Sequence, residues 1–572
     1  MFSVTADSDR ARTARGLVAG LLAAAVAIGV GQLMAGLVAP DGSPVVAVGE
    51  ASIDATPPPV KNFAISAFGS NDKLVLVTGI LAVLAVFAAI VGVLAMRKLW
   101  YGMAGLAVFT VIGAAAALSR PNASASFVLP SLVGGAAAAV ALWLLVRAAP
   151  PAAAPVTAPS APPGAALPGA EGPAGESPAA DLTPESTPAS SAEPPSPARP
   201  APSSSGPALP TWAGRPAERR TFLKTGVVAA GTAAVAGLGG RLLAEHSSVS
   251  RAQAALRVPA PAHPAPPLPA GSDLRIPGLS PFITPNGAFY RVDTAIVLPE
   301  VPPESWQLRI HGMVAREITL SFSDLIHRPL TADYITLCCV SNPVAGPYIG
   351  NALWVGASLA SLLRQAGVRA DADQLLCTSA DGFTSGTPVQ TVMDGRDAML
   401  AVAMNGTALP VEHGFPVRMV VPGLYGYVSA CKWITDIEVT TYQQNMAYWA
   451  QRGWDAQAPI KTESRIDVPT GNNTIKPGRT SVAGVAWAQH KGVDAVEVRV
   501  DKGPWHQARL AAVPDIDTWR QWVWEWDATP GTHVIEARAT DATGYTQTSL
   551  QEPPEPNGAS GYPSVSLIVG HG

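Results

Sequence analysis

The stretch Tyr334-Ile-Thr-Leu-Cys-Cys-Val-Ser-Asn342 governs how this chain is read. Its β-branched and aromatic residues run into a polar loop, the pattern of a strand that ends at a site. A cysteine held at such an end can aim its sulfur into a cleft, and a soft thiolate suits a transition metal. On spacing alone a plainer reading competes, with one of the two adjacent cysteines in the core and the other a spectator. The remaining cysteines, Cys377 and Cys431, complete no CxxC pair and no zinc pattern. Four cysteines are too few for a disulfide scaffold in 572 residues.

Working outward, the chain exceeds one ordinary domain in length. Hydrophobic residues make up 48% and charged residues 14%, with a mean hydropathy of +0.23, high for a wholly water-exposed protein. Yet 55 Pro and 53 Gly are too many for a helical membrane bundle alone. A net charge of −4, with no sustained Lys/Arg stripe, excludes a generally basic nucleic-acid binder. The chain therefore divides into membrane, Pro-rich and globular parts.

Residues 1–147 hold four apolar stretches: Gly16–Ala39, Leu74–Met96, Gly102–Ser119 and Phe127–Val146. Each is near the ~20 residues that cross a hydrocarbon core as helix. None carries a charged side chain, as expected where an unpaired charge is costly. Arg10, Arg12, Arg15, Arg97, Lys98 and Arg147 flank them on what is then the cytoplasmic side. The outer loops keep Lys61, Lys73 and Arg120 against that trend. Residues 148–217 are Pro, Ala, Ser and Gly with scattered Glu, too poor in large apolar groups to fold, and read as a disordered tether.

Within residues 218–245, Arg219-Arg220-Thr221-Phe222-Leu223-Lys224 precedes a weakly apolar run, Thr225–Gly240. This resembles a twin-arginine export signal. Such a signal implies cargo folded and loaded before export, with everything beyond it outside the cytoplasm. Ala252-Gln253-Ala254 has the small-residue pattern of a signal-peptidase site, so release from the membrane is left open. Residues 246–273 read as a second linker.

Residues 274–454 carry several words in a fixed order. They are TPNGAFYRVDTA (Thr284–Ala295), LRIHGMV (Leu308–Val314), TLCCVSN, IGNALWVG (Ile349–Gly356), HGFPVRMVVPG (His413–Gly423), Lys432-Trp433 and QQN (Gln443–Asn445). In these words the chain resembles the molybdopterin domain of the sulfite oxidase family, strongly over about 275–455. The resemblance implies the mixed α+β sulfite-oxidase fold around one molybdopterin. It implies Cys339 as molybdenum ligand rather than Cys338, which strand alternation turns to the other face. His413 and Arg418 fall on the pair that holds the pterin and its phosphate, a task suited to a guanidinium fork. Ala430, Cys431 and Lys432 match a loop over the cofactor. Asn286, Tyr290 and Arg291 match the first binding loop, and Ser379 a further contact. Arg291 and Tyr448 are the implied substrate-side residues.

The loop after the ligand cysteine, Val340–Gly346, departs from the family in carrying no cation, so sulfite is a doubtful substrate. Residues 455–572 alternate Val496, Val498 and Val500 with charged neighbours, and Trp522, Trp524 and Trp526 with Val523 and Glu525. This resembles the family's immunoglobulin-like β-sandwich, whose pairing role leaves a homodimer open.

All nine histidines lie at or beyond His246, so the four N-terminal stretches cannot hold a bis-His haem. There is no CxxCH and no iron–sulfur cysteine set, so neither haem nor cluster is expected. Electrons then pass to an external carrier, a cytochrome or a quinone. The reading is a multi-pass cell-membrane oxidoreductase acting on a small oxyanion, S-oxide or N-oxide outside the cytoplasm. Two alternatives stand beside it: a sulfoxide or N-oxide reductase using the same site, and a non-catalytic membrane-anchored binding protein on a degenerate fold.

Overall fold

The computed structural model describes residues 2–38, 42–57, 60, 72–120, 123–149, 216–245, 248–471 and 474–570. Most of the expected 148–217 tether lies outside the described residues.

The apolar stretches form long helices: α1 (Phe2–Val38), α3 (Asp72–Arg97), α4 (Leu99–Leu118), α5 (Leu129–Ala148) and α6 (Pro216–Glu245). Among the described residues, five helices are long and apolar enough to cross a membrane, over Arg10–Val38, Val75–Arg97, Leu99–Leu118, Ala125–Ala148 and Arg220–Gly240. A shorter helix, α2 (Pro44–Ala55), sits between α1 and α3. Small residues let α1 approach its neighbours closely. A Cβ on Gly20 would come within 1.9 Å of the Ala88 carbonyl oxygen of α3, and one on Gly29 within 2.4 Å of the Ala233 oxygen of α6.

The central unit is α+β, with two five-stranded sheets. One is antiparallel and runs Leu330–Cys338, Ile349–Ser358, Met399–Met404 and Thr407–Ala408, with Arg418–Val420 also paired to Met399–Met404. The other is mixed, in the order Ile318–Ser321, Gln307–Gly312, Ile434–Thr440, Gln374–Ser379 and Thr384–Pro388. Within it Gln307–Gly312 and Ile434–Thr440 are parallel. Leu308, Ile310, Leu375, Ile437, Val417 and Met419 fill one core beside the short helix Leu359–Ala366. A Ser321–Asp324 capping box starts another short helix, Phe322–Ile326.

Of the expected 246–273 linker, the described residues 248–273 are anchored to this unit. Its helix Ser248–Ala255 buries Val249, and Gln253 donates to the Leu409 carbonyl at 3.2 Å. His263 joins the edge of Leu330–Cys338, its N–H reaching the Leu330 oxygen at 3.1 Å and its oxygen accepting from Ala332 N–H at 2.8 Å. Backbone groups left open at a sheet edge explain why a Pro/Ala-rich segment settles there.

The C-terminal region is β-rich. Glu463–Val468, Gly478–Trp487, Arg520–Ala528 and Arg509–Leu510 form one sheet; Thr474–Ile475, Ser564–Val569, Gly531–Asp541, Val493–Val500 and His506–Gln507 form another. Val482, Trp522 and Trp526 of the first share a core with Val496, Val498, Ile535 and Leu567 of the second. Trp524 is half-buried and stacks on His506 at 5.1 Å. Two tryptophans of the stripe are therefore core, and the third, on the same face of the strand, packs against the margin of that core.

Candidate active site

Leu330–Cys338 is the strand that delivers the cysteine pair. It begins four residues before Tyr334 and ends at Cys338, where the chain turns into the loop. Alternation divides its side chains as the period of two requires. Ile335 and Leu337 pack with Phe289, Trp354 and Phe415, whereas Cys338 joins Val340 and Ile349 in the other core. The strand is clamped from the C-terminal region. Trp519 N–H donates to Thr336 Oγ1 at 2.7 Å, and its indole N–H to the Phe282 oxygen at 2.9 Å.

Cys339 is buried, its N–H bonded to the Tyr348 oxygen at 2.9 Å and its oxygen accepting from Asn342 N–H at 3.1 Å. Burial pushes its thiol up, opposed by hydrogen bonding from Ser341. In the same loop Asn342 Oδ1 accepts from Tyr348 N–H at 2.8 Å, while its buried Nδ2 donates to nothing among the described residues. That orphaned donor is a costly feature unless a further group completes it.

Most of the predicted cofactor residues converge beside this loop. His413 Nε2 lies 3.0 Å from the Asn286 oxygen, and its ring meets Phe289 edge-on at 5.5 Å. Burial lowers its pKa to about 4, so the imidazole is neutral near pH 7. Asn286 is fixed by Asn405, whose Nδ2 donates to Asn286 Oδ1 at 2.8 Å. Tyr290 stacks on Phe289 at 5.2 Å, and burial raises its phenol well above the usual range.

Arg418 is only 5% exposed. It donates to the His413 oxygen at 3.1 Å and the Ala430 oxygen at 3.4 Å, and it lies 4.9 Å from the Trp354 ring centre. Burial lowers its pKa to about 10, which leaves it charged at neutral pH. No ion pair to Arg418 exists among the described residues; carbonyls and an aromatic face alone balance it. Gly414, at φ +110°, lets this chain segment pass: a Cβ there would sit 2.9 Å from Arg418 Cβ.

Lys432 and Arg291 meet on one carboxylate. Asp293 Oδ2 accepts from Lys432 Nζ at 2.8 Å and from Arg291 Nε at 2.9 Å. Burial lowers the Lys432 ammonium to about 8, with Asp293 opposing. Arg291 is 42% exposed on its side chain, so it belongs to the rim rather than the interior. Cys431 differs from its neighbours in the predicted set: its thiol is committed to the hydrophobic core. Ser379 ends its strand, buried, with its N–H on the Phe383 oxygen at 2.9 Å.

Tyr448 stands on a separate wall. Its ring lies 5.8 Å from Phe383 and takes the Arg452 guanidinium at 3.6 Å, and it lines a cavity with Asp381. Asp293 and Asp381 were not singled out from sequence. An Arg-x-Asp spacing at 291–293 was the available signal for the first; the second had none, because its role comes from the fold.

Comparison with known proteins places this geometry. A family model described as an oxidoreductase molybdopterin binding domain matches residues 295–449. The sulfite oxidase of Gallus gallus is 30% identical over 312 residues, covering 46% of this chain and 67% of that one. The mitochondrial sulfite oxidase of Mus musculus is 28% identical, covering 42% of this chain and 52% of that one. YuiH of Bacillus subtilis, described as an uncharacterized oxidoreductase, is 30% identical over 149 residues, covering 26% of this chain and 72% of that one. The chain thus spans two thirds of the chicken relative and about half of the mouse one. It belongs to the sulfite oxidase family and is a molybdopterin-binding oxidoreductase.

Proposed function

We propose that this is a membrane-tethered, extracytoplasmic enzyme that transfers an oxygen atom and two electrons at a molybdenum held by Cys339. The observation that carries the reading is Arg418, a buried cation with no carboxylate beside it. A buried charge left without a counter-ion costs several kcal/mol, and a pterin phosphate is the partner its fork fits. Neutral His413, Asn286, Tyr290 and the Ala430–Lys432 segment would hold the pterin, and Asn342 Nδ2, in the loop that follows Cys339, is a buried donor that a further group could complete.

When bound, the cofactor supplies the oxygen-atom transfer and accepts or releases the electron pair. The chain's own residues orient and shield. Cys339 presents a sulfur from a rigid strand end. Asp293 fixes Lys432 and Arg291 in one array, so that Arg291 can steer a polar substrate at the rim.

Flanking charges support five membrane crossings with the catalytic unit outside. The two outer connections agree with this. Glu50 of α2 and Arg120 after α4 form an ion pair at 2.6 Å, and both line a cavity against the catalytic unit. The pairing also accounts for an arginine on the outer side. Arg219–Lys224 opens α6 and serves as the twin-arginine signal in this reading. The C-terminal sheets act as the immunoglobulin-like unit and the surface for homodimer contact. The molybdenum is the single redox centre, so a cytochrome or quinone takes or gives the electrons.

A second reading has its own support. With no cation in Val340–Gly346, the pocket is poorly suited to a doubly charged oxyanion, which favours reduction of a neutral S-oxide or N-oxide. Acceptor and donor dependence of turnover separates the two directions.

The central test is molybdenum per chain and turnover in exported protein, with Cys339→Ser and Cys338→Ser in parallel. Wild type should hold close to one molybdenum. Cys339→Ser should lose activity on the order of 100-fold or more, since the ligand sulfur tunes the metal. Cys338→Ser should keep most of it. Equal loss in both refutes the ligand assignment, and folded protein without molybdenum or pterin refutes the enzyme site itself.

A further inference from the structure

A cavity of about 220 Å³ lies between the helical unit and the catalytic unit. Glu50, Ile53 and Arg120 line it from the helical side, and Asp381, Phe383 and Tyr448 from the catalytic side. Its wall is built rather than incidental. Glu50 holds Arg120 at 2.6 Å and also takes a backbone hydrogen bond from Ile296 of the catalytic unit. The cavity adjoins the active site through Asp381, which feels the charges of Asp293 and Lys432. We infer that this cavity binds the ring of a lipid-soluble quinone, which exchanges electrons directly with the catalytic unit.

The inference rests on the membrane-tethered reading above and names its electron partner. Location is the first argument: α2 and Arg120 belong to the connections on the outer ends of the spanning helices, where a lipid-borne molecule can arrive. Lining is the second. Phe383, Tyr448 and Ile53 offer flat and apolar contact for a ring. Both arginines are already engaged, Arg120 with Glu50 and Arg452 with the Tyr448 ring and its carbonyl at 2.7 Å. A small anion therefore meets two carboxylates beside balanced cations, whereas a neutral ring meets no such opposition. Size agrees, since a cavity of about 150 Å³ already accommodates benzene.

The chemistry closes. Substrate, water and quinone give oxygenated substrate and quinol. Two electrons leave the substrate, the two quinone C=O groups become C–OH, and the two protons released from water reach them by way of Glu50 and Asp381. Burial raises the pKa of both carboxyls, in keeping with groups that carry protons. Run backwards, the same balance drives an S-oxide reduction from quinol.

The test uses the full chain in phosphatidylglycerol nanodiscs with a photoactivatable azido-benzoquinone, and maps the labelled peptides by mass spectrometry. Saturable labelling is expected on 42–57 and on 381–383 or 448–452, displaced by an unmodified short-chain benzoquinone. Ile53→Trp should cut it on the order of tenfold, because an indole and a quinone ring cannot share the space. Label confined to lipid-facing positions of the spanning helices overturns the inference. So does label displaced by sulfite or dimethyl sulfoxide but not by benzoquinone, which would make the cavity a substrate vestibule. Labelling needs no molybdenum, so the metal content of the same sample tests the enzyme reading separately.

Discussion

Arg418 sets charge against burial. Its guanidinium has three protein carbonyls and a tryptophan face for company, so the folded chain bears a desolvation cost that its own residues do not fully offset. Arg418→Met removes that cost along with the phosphate partner. The apoprotein should melt at the same temperature or higher, while pterin recovered from purified protein, read by fluorescence, falls about tenfold. A variant that keeps its pterin would show that the phosphate is held elsewhere. At this scale the sequence is informative where a proposed role depends on identity and local order: Cys339, His413, Arg418 and Lys432 lie in words that can be read. Asp293 and Asp381 were not legible, because a carboxylate's role depends on which cations the fold brings to it. Cys431 shows the converse. It stands in a site loop by sequence, yet its thiol faces the core.

Elements were legible where their signal is local. The apolar stretches predict α1, α3, α4 and α5 to within a few residues at most ends, and α1 extends further because helix continues into its polar leader. The Tyr334 strand was placed correctly, though it starts at Leu330. Pairings were not legible, above all the parallel contact of Gln307–Gly312 with Ile434–Thr440, more than 120 residues apart. Nor was the strand Glu463–Val468, which brings Glu463 near Cys338, whose thiol is raised first by burial and, once Glu463 ionises, by that carboxylate as well. Glu463 is 4% exposed, and its Oε1 has no hydrogen-bond partner among the described residues. Burial pushes its carboxyl up to about 8. The folded chain therefore keeps this proton between about pH 4.5 and 8 while the unfolded chain has released it. Stability from this group is full at low pH and declines as pH rises through that window. Glu463→Gln removes the decline. Unfolding free energies should coincide at pH 4 and favour the variant by about a few kcal/mol at pH 8.5; a constant difference across pH would mean that folding does not shift this carboxyl's pKa.

For the molecule as a whole, the division into apolar, Pro-rich and catalytic parts was visible in composition alone. How the parts meet was not. Contacts between Glu50, Arg120, Gly49 and the catalytic unit at Ile296 and Asp381 join residues separated by hundreds of positions, and no local pattern encodes them. In the proposed reading, that meeting gives the helical unit a task beyond anchorage. If its outer face completes the electron-carrier site, removing residues 1–216 while keeping the export signal should separate two activities. Turnover with a water-soluble dye should persist, because Cys339, His413, Arg418 and the two catalytic sheets remain intact. Turnover linked to membrane quinone should be abolished, since one wall of the cavity is gone. The measurement is a paired assay on equal amounts of molybdenum-loaded protein, truncated and full-length, in the same lipid. Retained quinone-linked turnover would assign the helices to anchoring alone. Loss of both activities with molybdenum still bound would mean that the helical unit shapes the catalytic pocket itself, and the Glu50–Arg120 pair would then be its point of contact.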